Sequence, residues 1–478
     1  MKKKILITVA IMLLAVLMTT LAACNTSYKQ DALPDSPDAS AKVSSNGGLA
    51  VKVGNYIYFI NGLAGQDGDN EFDDVVKGAI MRVPLDKEGV PQRDKVQTVV
   101  PKNVYNSEES SALVVKKGYI YFTTPNDENN SDGKPKTSEM ILMRATLDGS
   151  KIETVAEFDD YSLTYRVSDN YIVYHRGTEL RLIDLNDKKF KDTLIESGVG
   201  TVIFPDYADN ENALADVVFY TKTPADPYAD HNEVWAYRAG GAPVEAINGL
   251  NDFNKASLPH PGGYSLSLIG ADFVGDSSIR LHYTKTDSGA NKRSTGVYSY
   301  TFGEDFTFSE SAEIRYTKGV TYTAIDFVSD ERILATDSDS IDMIYKDGDE
   351  WKHIPVVEKA ATVMDFTVSD KEYTLTYLES DVIKVLEFVF DPSAGEVITL
   401  QDVTTKFNSE YNSDWLGLDL IDGVVYYFNS DVLDNIYYLN LNKVDSRDVR
   451  TQIPQRLGVF SAQDIISMLE SGEGEEEE

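Results

Sequence analysis

The side chains able to do chemistry are few in kind. Five histidines, His175, His231, His260, His282 and His353, stand singly, and none lies at metal-ligand spacing from another. Asp and Glu together number 78. Two carboxylates about 5 to 9 Å apart support glycoside hydrolysis, but this many acids bring some pair together by chance, and no spacing singles one out. The densest acidic run, from Asp67 to Asp74, offers calcium oxygen ligands in Asp67, Asp69 and Asp73. Asp127, Asn129, Ser131 and Asp132 form a second such group, and Asp337 with Asp339 a third. In none of them does a glycine fall where a calcium loop needs its sharp turn, so solvated surface is the plain alternative for each. A phosphate-binding glycine loop, a Gly-x-Ser-x-Gly elbow and a His-Glu-x-x-His helix are all missing. No catalytic residue is assigned, and calcium in the acidic loops is the sole cofactor expectation.

One further group is reactive, and its place is specific. Met1-Lys2-Lys3-Lys4 is followed by an apolar run from Ile5 to Leu17, then by Leu21-Ala22-Ala23-Cys24. A basic start, an apolar stretch and small residues before a cut make an export signal. The apolar run is short of the roughly 20 residues of a membrane span. Leu21-Ala22-Ala23-Cys24 resembles the bacterial lipobox. The resemblance implies that the Cys24 thiol takes a diacylglyceryl group and becomes the first residue of the mature chain. Two acyl chains at about 0.8 kcal/mol per buried methylene hold a protein stably on a membrane. Cys24 is the only cysteine, so a lipidated chain has no thiol for a disulfide and must be stabilised by its core.

The formal charge is −34. Such a surface repels nucleic acid and anionic lipid headgroups, and it favours solubility, cations or a basic partner. Residues 1–23 read as the signal peptide. Residues 24–47, rich in Ser, Asp, Ala and Pro, read as a flexible linker of roughly 25 Å reach. Residues 461–471 read as a helix capped by Ser461, with Phe460 stapling against Ile465. Residues 472–478 form an acidic tail.

Between them, residues 48–460 repeat. Leu49–Val53 turns at Gly54-Asn55 into Tyr56-Ile57-Tyr58-Phe59-Ile60, followed by Ala79–Asp86 and Val96–Val100. Val114-Val115, Tyr119–Phe122 and Ile141–Gly149 form a close copy, and Val167, Tyr171–Tyr174 and Leu180–Leu185 form a third. Val-Ser-Asp returns at 328–330 and 368–370, and the last clear copy spans 418–441. Anchoring on the second strand places units at 58, 121, 174, 220, 283, 335, 375 and 427. Spacings near 40 to 50 residues plus insertions are those of propeller blades. Alternating β-branched and aromatic residues with Gly, Asn and Asp turns mark strands. The expected fold is therefore all-β: a β-propeller of eight blades, with seven as the alternative, each of four antiparallel strands.

The Tyr-Ile-Tyr-Phe strand followed by Arg-x-x-Leu-Asp-Gly resembles uncharacterised propeller-like domains of Gram-positive surface lipoproteins. The resemblance is plain over three copies and faint from Thr201 to Thr399. It implies a fold and a place, the outer face of the cytoplasmic membrane, and no activity. The sialidase box, the Trp-Asp ending and the quinone-cofactor tryptophan motif of other propellers are missing. Three function classes stay open. The first is a non-enzymatic binding or scaffolding module for a protein, glycan or wall-derived ligand. The second is an extracellular hydrolase with carboxylates in the central funnel. The third is an accessory or sensor subunit of a membrane transporter or kinase. The long inserts Gly62–Lys77, Asn126–Ser138 and Thr223–Asn232 are expected to form one face or its opposite.

Overall fold

The computed structural model describes residues 27–62, 77–105, 112–126, 139–158, 163–205, 212–224, 231–249, 263–287, 294–369, 372–380, 382–392, 394–405, 415–429, 435–445 and 448–459. They form eight antiparallel sheets in chain order, at 43–100, 114–158, 164–197, 199–248, 264–315, 324–357, 362–405 and 415–456. These are the blades of a β-propeller, eight rather than seven. All eight sequence anchors fall in the second strand of their blade. Six sheets have four strands, while blades 1 and 2 have five.

Local chemistry sets each hairpin. Tyr-Ile-Tyr-Phe alternates β-branched and aromatic side chains across the pleat, which favours an extended chain packed on both faces. Gly54 has φ +56° at the first turn position, as a type II′ turn requires. Lys117-Gly118 and Asp422-Gly423 have positive φ at both positions, the mark of a type I′ turn.

The core lies between blades as slabs around the ring. Phe158 and Tyr174 pack between blades 2 and 3, Phe219 and Phe302 between blades 4 and 5, and Leu375 and Met343 between blades 6 and 7. One cluster joins Tyr426, Phe428 and Ile436 of blade 8 to Val51 and Phe59 of blade 1, which closes the circle. Each phenylalanine buried in this way contributes about 2 to 3 kcal/mol.

Among the described residues no strand is exchanged across the seam between blades 8 and 1; side chains clasp it instead. Asp419 accepts from the backbone N–H groups of Leu49 (2.7 Å) and Ala50 (3.0 Å). Asn61 donates to the carbonyl of Val459 and accepts from its N–H, both at 2.9 Å. Lys52 pairs with Asp422, and Lys443 with Glu88 at 2.6 Å.

The expectation of a flexible linker over 24–47 fails from Ser27 onward. Ser27–Lys29 adds a fifth strand to the outer edge of blade 2, and Val43–Ser44 adds one to the inner edge of blade 1. Between them the chain forms a strap across both blades. Gln30 donates to the Val99 carbonyl (2.8 Å), Leu33 N–H to the Asp148 carbonyl (2.9 Å), and Asn46 exchanges two hydrogen bonds with Val115. Arg82, fully buried, fixes the middle of the strap. It donates to Gln97, to Ser36 and to the Pro34 carbonyl, and lies 4.8 Å from the Tyr56 ring centroid. In blades 2 and 3 the matching arginines face carboxylates: Arg144 faces Glu153 (2.7 Å) and Arg181 faces Asp192 (3.2 Å). In blade 1 a neutral glutamine stands there, and the strap supplies further acceptors. A buried cation without them carries a large desolvation cost. The polar residues of the segment meet backbone groups and Arg82, while its Tyr28, Leu33, Ala41 and Val43 pack against the core cluster of blades 8, 1 and 2.

Candidate binding face

In each blade the connections between second and third strands, and from the fourth strand to the next blade, emerge on one face of the ring. The other two kinds of connection emerge on the opposite face. Gly62–Lys77 joins Tyr56–Ile60 to Ile80–Pro84, Asn126–Ser138 joins Tyr119–Pro125 to Met140–Thr146, and Thr223–Asn232 joins Val217–Lys222 to Glu233–Arg238. All three are second-to-third connections, so the long inserts of blades 1, 2 and 4 leave the ring on the same face. Blade 4 also carries a long first-to-second connection, between Val199–Ile203 and Val217–Lys222, on the other.

Asparagines brace the base of this face. Asn61 ends the second strand of blade 1 and holds Val459. Asn232, just before the third strand of blade 4, donates to the Leu266 carbonyl (2.8 Å) and accepts from its N–H (2.6 Å), tying blade 4 to blade 5. An amide side chain carries both a donor and an acceptor, so it can pair with a strand edge as another strand would. The loop bases therefore stand on a rigid frame.

The histidines are dispersed. His175 lies in the second strand of blade 3, where burial pushes its pKa down. His353 lies in the fourth strand of blade 6, with Nδ1 3.2 Å from Asp342. His282 is fully buried in blade 5, its Nε2 2.8 Å from Asp272 and opposite Ser299 in the register. A serine, a histidine and an aspartate in one blade suggest a nucleophile and its base. Ser299, however, gives its proton to the Tyr316 hydroxyl (2.8 Å), and both histidine and serine have no exposed surface. The arrangement is a packed polar network between blades 5 and 6. Sequence reading missed the Asp272–His282 pair, which depends on a register shift between Leu268 and Gly270 that no residue pattern announces.

Two carboxylates on first strands are engaged. Asp419 clasps the seam, and Asp272 holds His282. Among the described residues one carboxyl is held above its ordinary value: Asp216, raised by burial against the pull of Arg238, on the opposite face. Asp337 accepts from the N–H groups of Asp339 (2.7 Å) and Ser340 (2.8 Å), so it caps a turn. Among the described residues no group of three or more His, Cys, Asp or Glu is placed to hold a metal ion. Cys24, the calcium candidates Asp67, Asp69 and Asp73, the group at 127–132, His260 and the helix at 461–471 lie outside the described residues.

No family model matches the chain, and no curated protein does. Solved structures do. A prolyl endopeptidase is 13% identical with a TM-score of 0.41, over 72% of this chain and 49% of that one. A post-proline cleaving enzyme from Rickettsia typhi is 11% identical with a TM-score of 0.38, over 80% and 57%. This chain thus spans about half the length of both. The β-propeller domain of the trilobed protease from Pyrococcus furiosus is 14% identical with a TM-score of 0.37, over 76% and 97%. At these identities the likeness extends to the propeller fold and no further.

Proposed function

We propose that this chain is an exported lipoprotein, held outside the cell by lipid on Cys24, whose propeller binds a protein, glycan or wall-derived ligand without transforming it. The observation that carries the binding role is that three long inserts leave the ring on one face, two of them beside asparagine-braced bases. A rigid scaffold that presents variable loops is the usual ground for recognition. The Leu21-Ala22-Ala23-Cys24 motif supports the anchor. The lack of a catalytic constellation in the sequence favours binding over hydrolysis.

The test is to screen the whole chain against a glycan array and a cell-surface extract, and to assay wall glycan and peptide pools for turnover. Saturable binding of one ligand class with no turnover is the expected result. Turnover of a wall substrate overturns the binding role, and so does the absence of any saturable ligand.

A further inference from the structure

We infer that the outer edge of blades 2 and 3 is a membrane-contact surface for anionic phospholipid, so that the propeller rests on its rim and does not swing on a long tether. The inference rests on lipid attachment at Cys24. Two observations carry it.

The first is the entry point of the chain. Ser27 pairs with Glu153, Tyr28 with Ile152 and Lys29 with Lys151, on the outermost strand of blade 2. Cys24 precedes Ser27 by three residues, and three residues reach at most about 11 Å. A diacylglyceryl group there brings this rim to the headgroups.

The second is the side chains beside that entry. The turn between the third and fourth strands of blade 3 carries Lys188, Lys189 and Lys191, all exposed. Its Phe190 adopts φ +50°, a conformation uncommon for a bulky residue, and is buried with its ring 4.7 Å from the Arg144 guanidinium of blade 2. Arg144 shares Glu153 with Lys151, the register partner of Lys29. The turn is thereby plugged into blade 2, and its lysines flank the entry point. Within the turn three lysines stand against one acid, Asp187, whose carboxylate accepts from the Lys189 N–H at 2.7 Å. The charge distribution agrees. Residues 112–197 hold 12 basic against 15 acidic side chains, a net of −3, while 199–459 hold 20 against 43, a net of −23. The rim beside the anchor belongs to the less acidic part of the ring, where an anionic surface repels least.

The experiment uses the full lipidated chain in vesicles of phosphatidylcholine with a minority of phosphatidylglycerol. With Cys24 lipidated, an introduced cysteine is the only free thiol for a fluorophore. One probe goes to Glu157→Cys on the fourth strand of blade 2, the other to Glu350→Cys on the fourth strand of blade 6, across the ring. Quenching by headgroup-labelled lipid should be several-fold stronger at 157 than at 350. Each lysine at an anionic surface strengthens contact about fivefold. Replacing Lys188, Lys189 and Lys191 together by Gln, or inserting a long Gly/Ser segment after Cys24, should bring the two probes toward parity. Mass analysis of the amino-terminal peptide separates the outcomes. No lipid on Cys24 overturns both the anchor and this surface; lipid present with equal quenching overturns this surface alone.

Discussion

Arg82→Met removes a buried cation that ties the amino-terminal strap to blade 1. Arg82 is fully buried, and its hydrogen bonds run to Gln97, Ser36 and the Pro34 carbonyl. A hydrogen bond from a charged donor is worth about 1.5 kcal/mol at the low end, so three acceptors lose about 4.5 kcal/mol, and the buried methionine returns about 1.5. The expected net loss is about 3 kcal/mol. With a urea slope of about 3 kcal/mol per M, the unfolding midpoint should fall by about 1 M. Hydrogen exchange should localise the change. The Leu33 amide, which donates to Asp148, should lose protection well before the blade 1 amides do. An unchanged midpoint with a still-protected Leu33 would mean that the strap is held by something other than Arg82.

Other tests probe the seam and the titrating groups. Asn61→Ala deletes both hydrogen bonds to Val459 and should cost about 2 kcal/mol, with faster exchange at the Val459 amide. Hydrogen bonds from Lys151 and Arg144 outweigh the upward push of burial on Glu153, and Lys384 and Lys359 hold Glu379 down. Their stabilisation is full above the ordinary value of 4.5 and is lost as pH falls through the lowered folded values. Glu153→Gln should therefore flatten the acid limb of a stability-versus-pH curve. Burial pushes Tyr58, Tyr298 and Tyr377 up to about 12. Stability from these rings is complete below 10.0 and declines as pH rises toward 12. Tyrosinate absorbance should accordingly appear later on the pH axis in folded than in urea-unfolded protein.

The blades were legible because period and composition agree: every anchor from Tyr58 to Tyr427 sits in a second strand. The middle of the chain keeps this period while losing the motif. Trp235 and Tyr298 stand across from Tyr220 and Tyr283, where Arg82 and Arg144 stand across from Tyr58 and Tyr121. The strap was misread as a linker because hydropathy registers apolar burial, whereas Pro34, Ser36 and Asn46 are held by hydrogen bonds to groups far along the chain. The asparagine clasps were equally hidden. Asn61 meets Val459 across almost the whole sequence, and only ring closure brings them together. Of the candidate face, the inserts were visible as breaks in the strand pattern, and their shared side followed only from strand order.

The central claim is that the insert-bearing face binds a ligand. The most direct measurement is an affinity titration of the ligand found in the screen against two variants. One has 63–76, 127–138 and 225–230 replaced by short Gly/Ser turns; the other is altered only on the opposite face, at 206–211. The first should lose saturable binding while its thermal unfolding stays cooperative, and the second should bind as the parent does. Undiminished binding by the first variant would contradict the central claim.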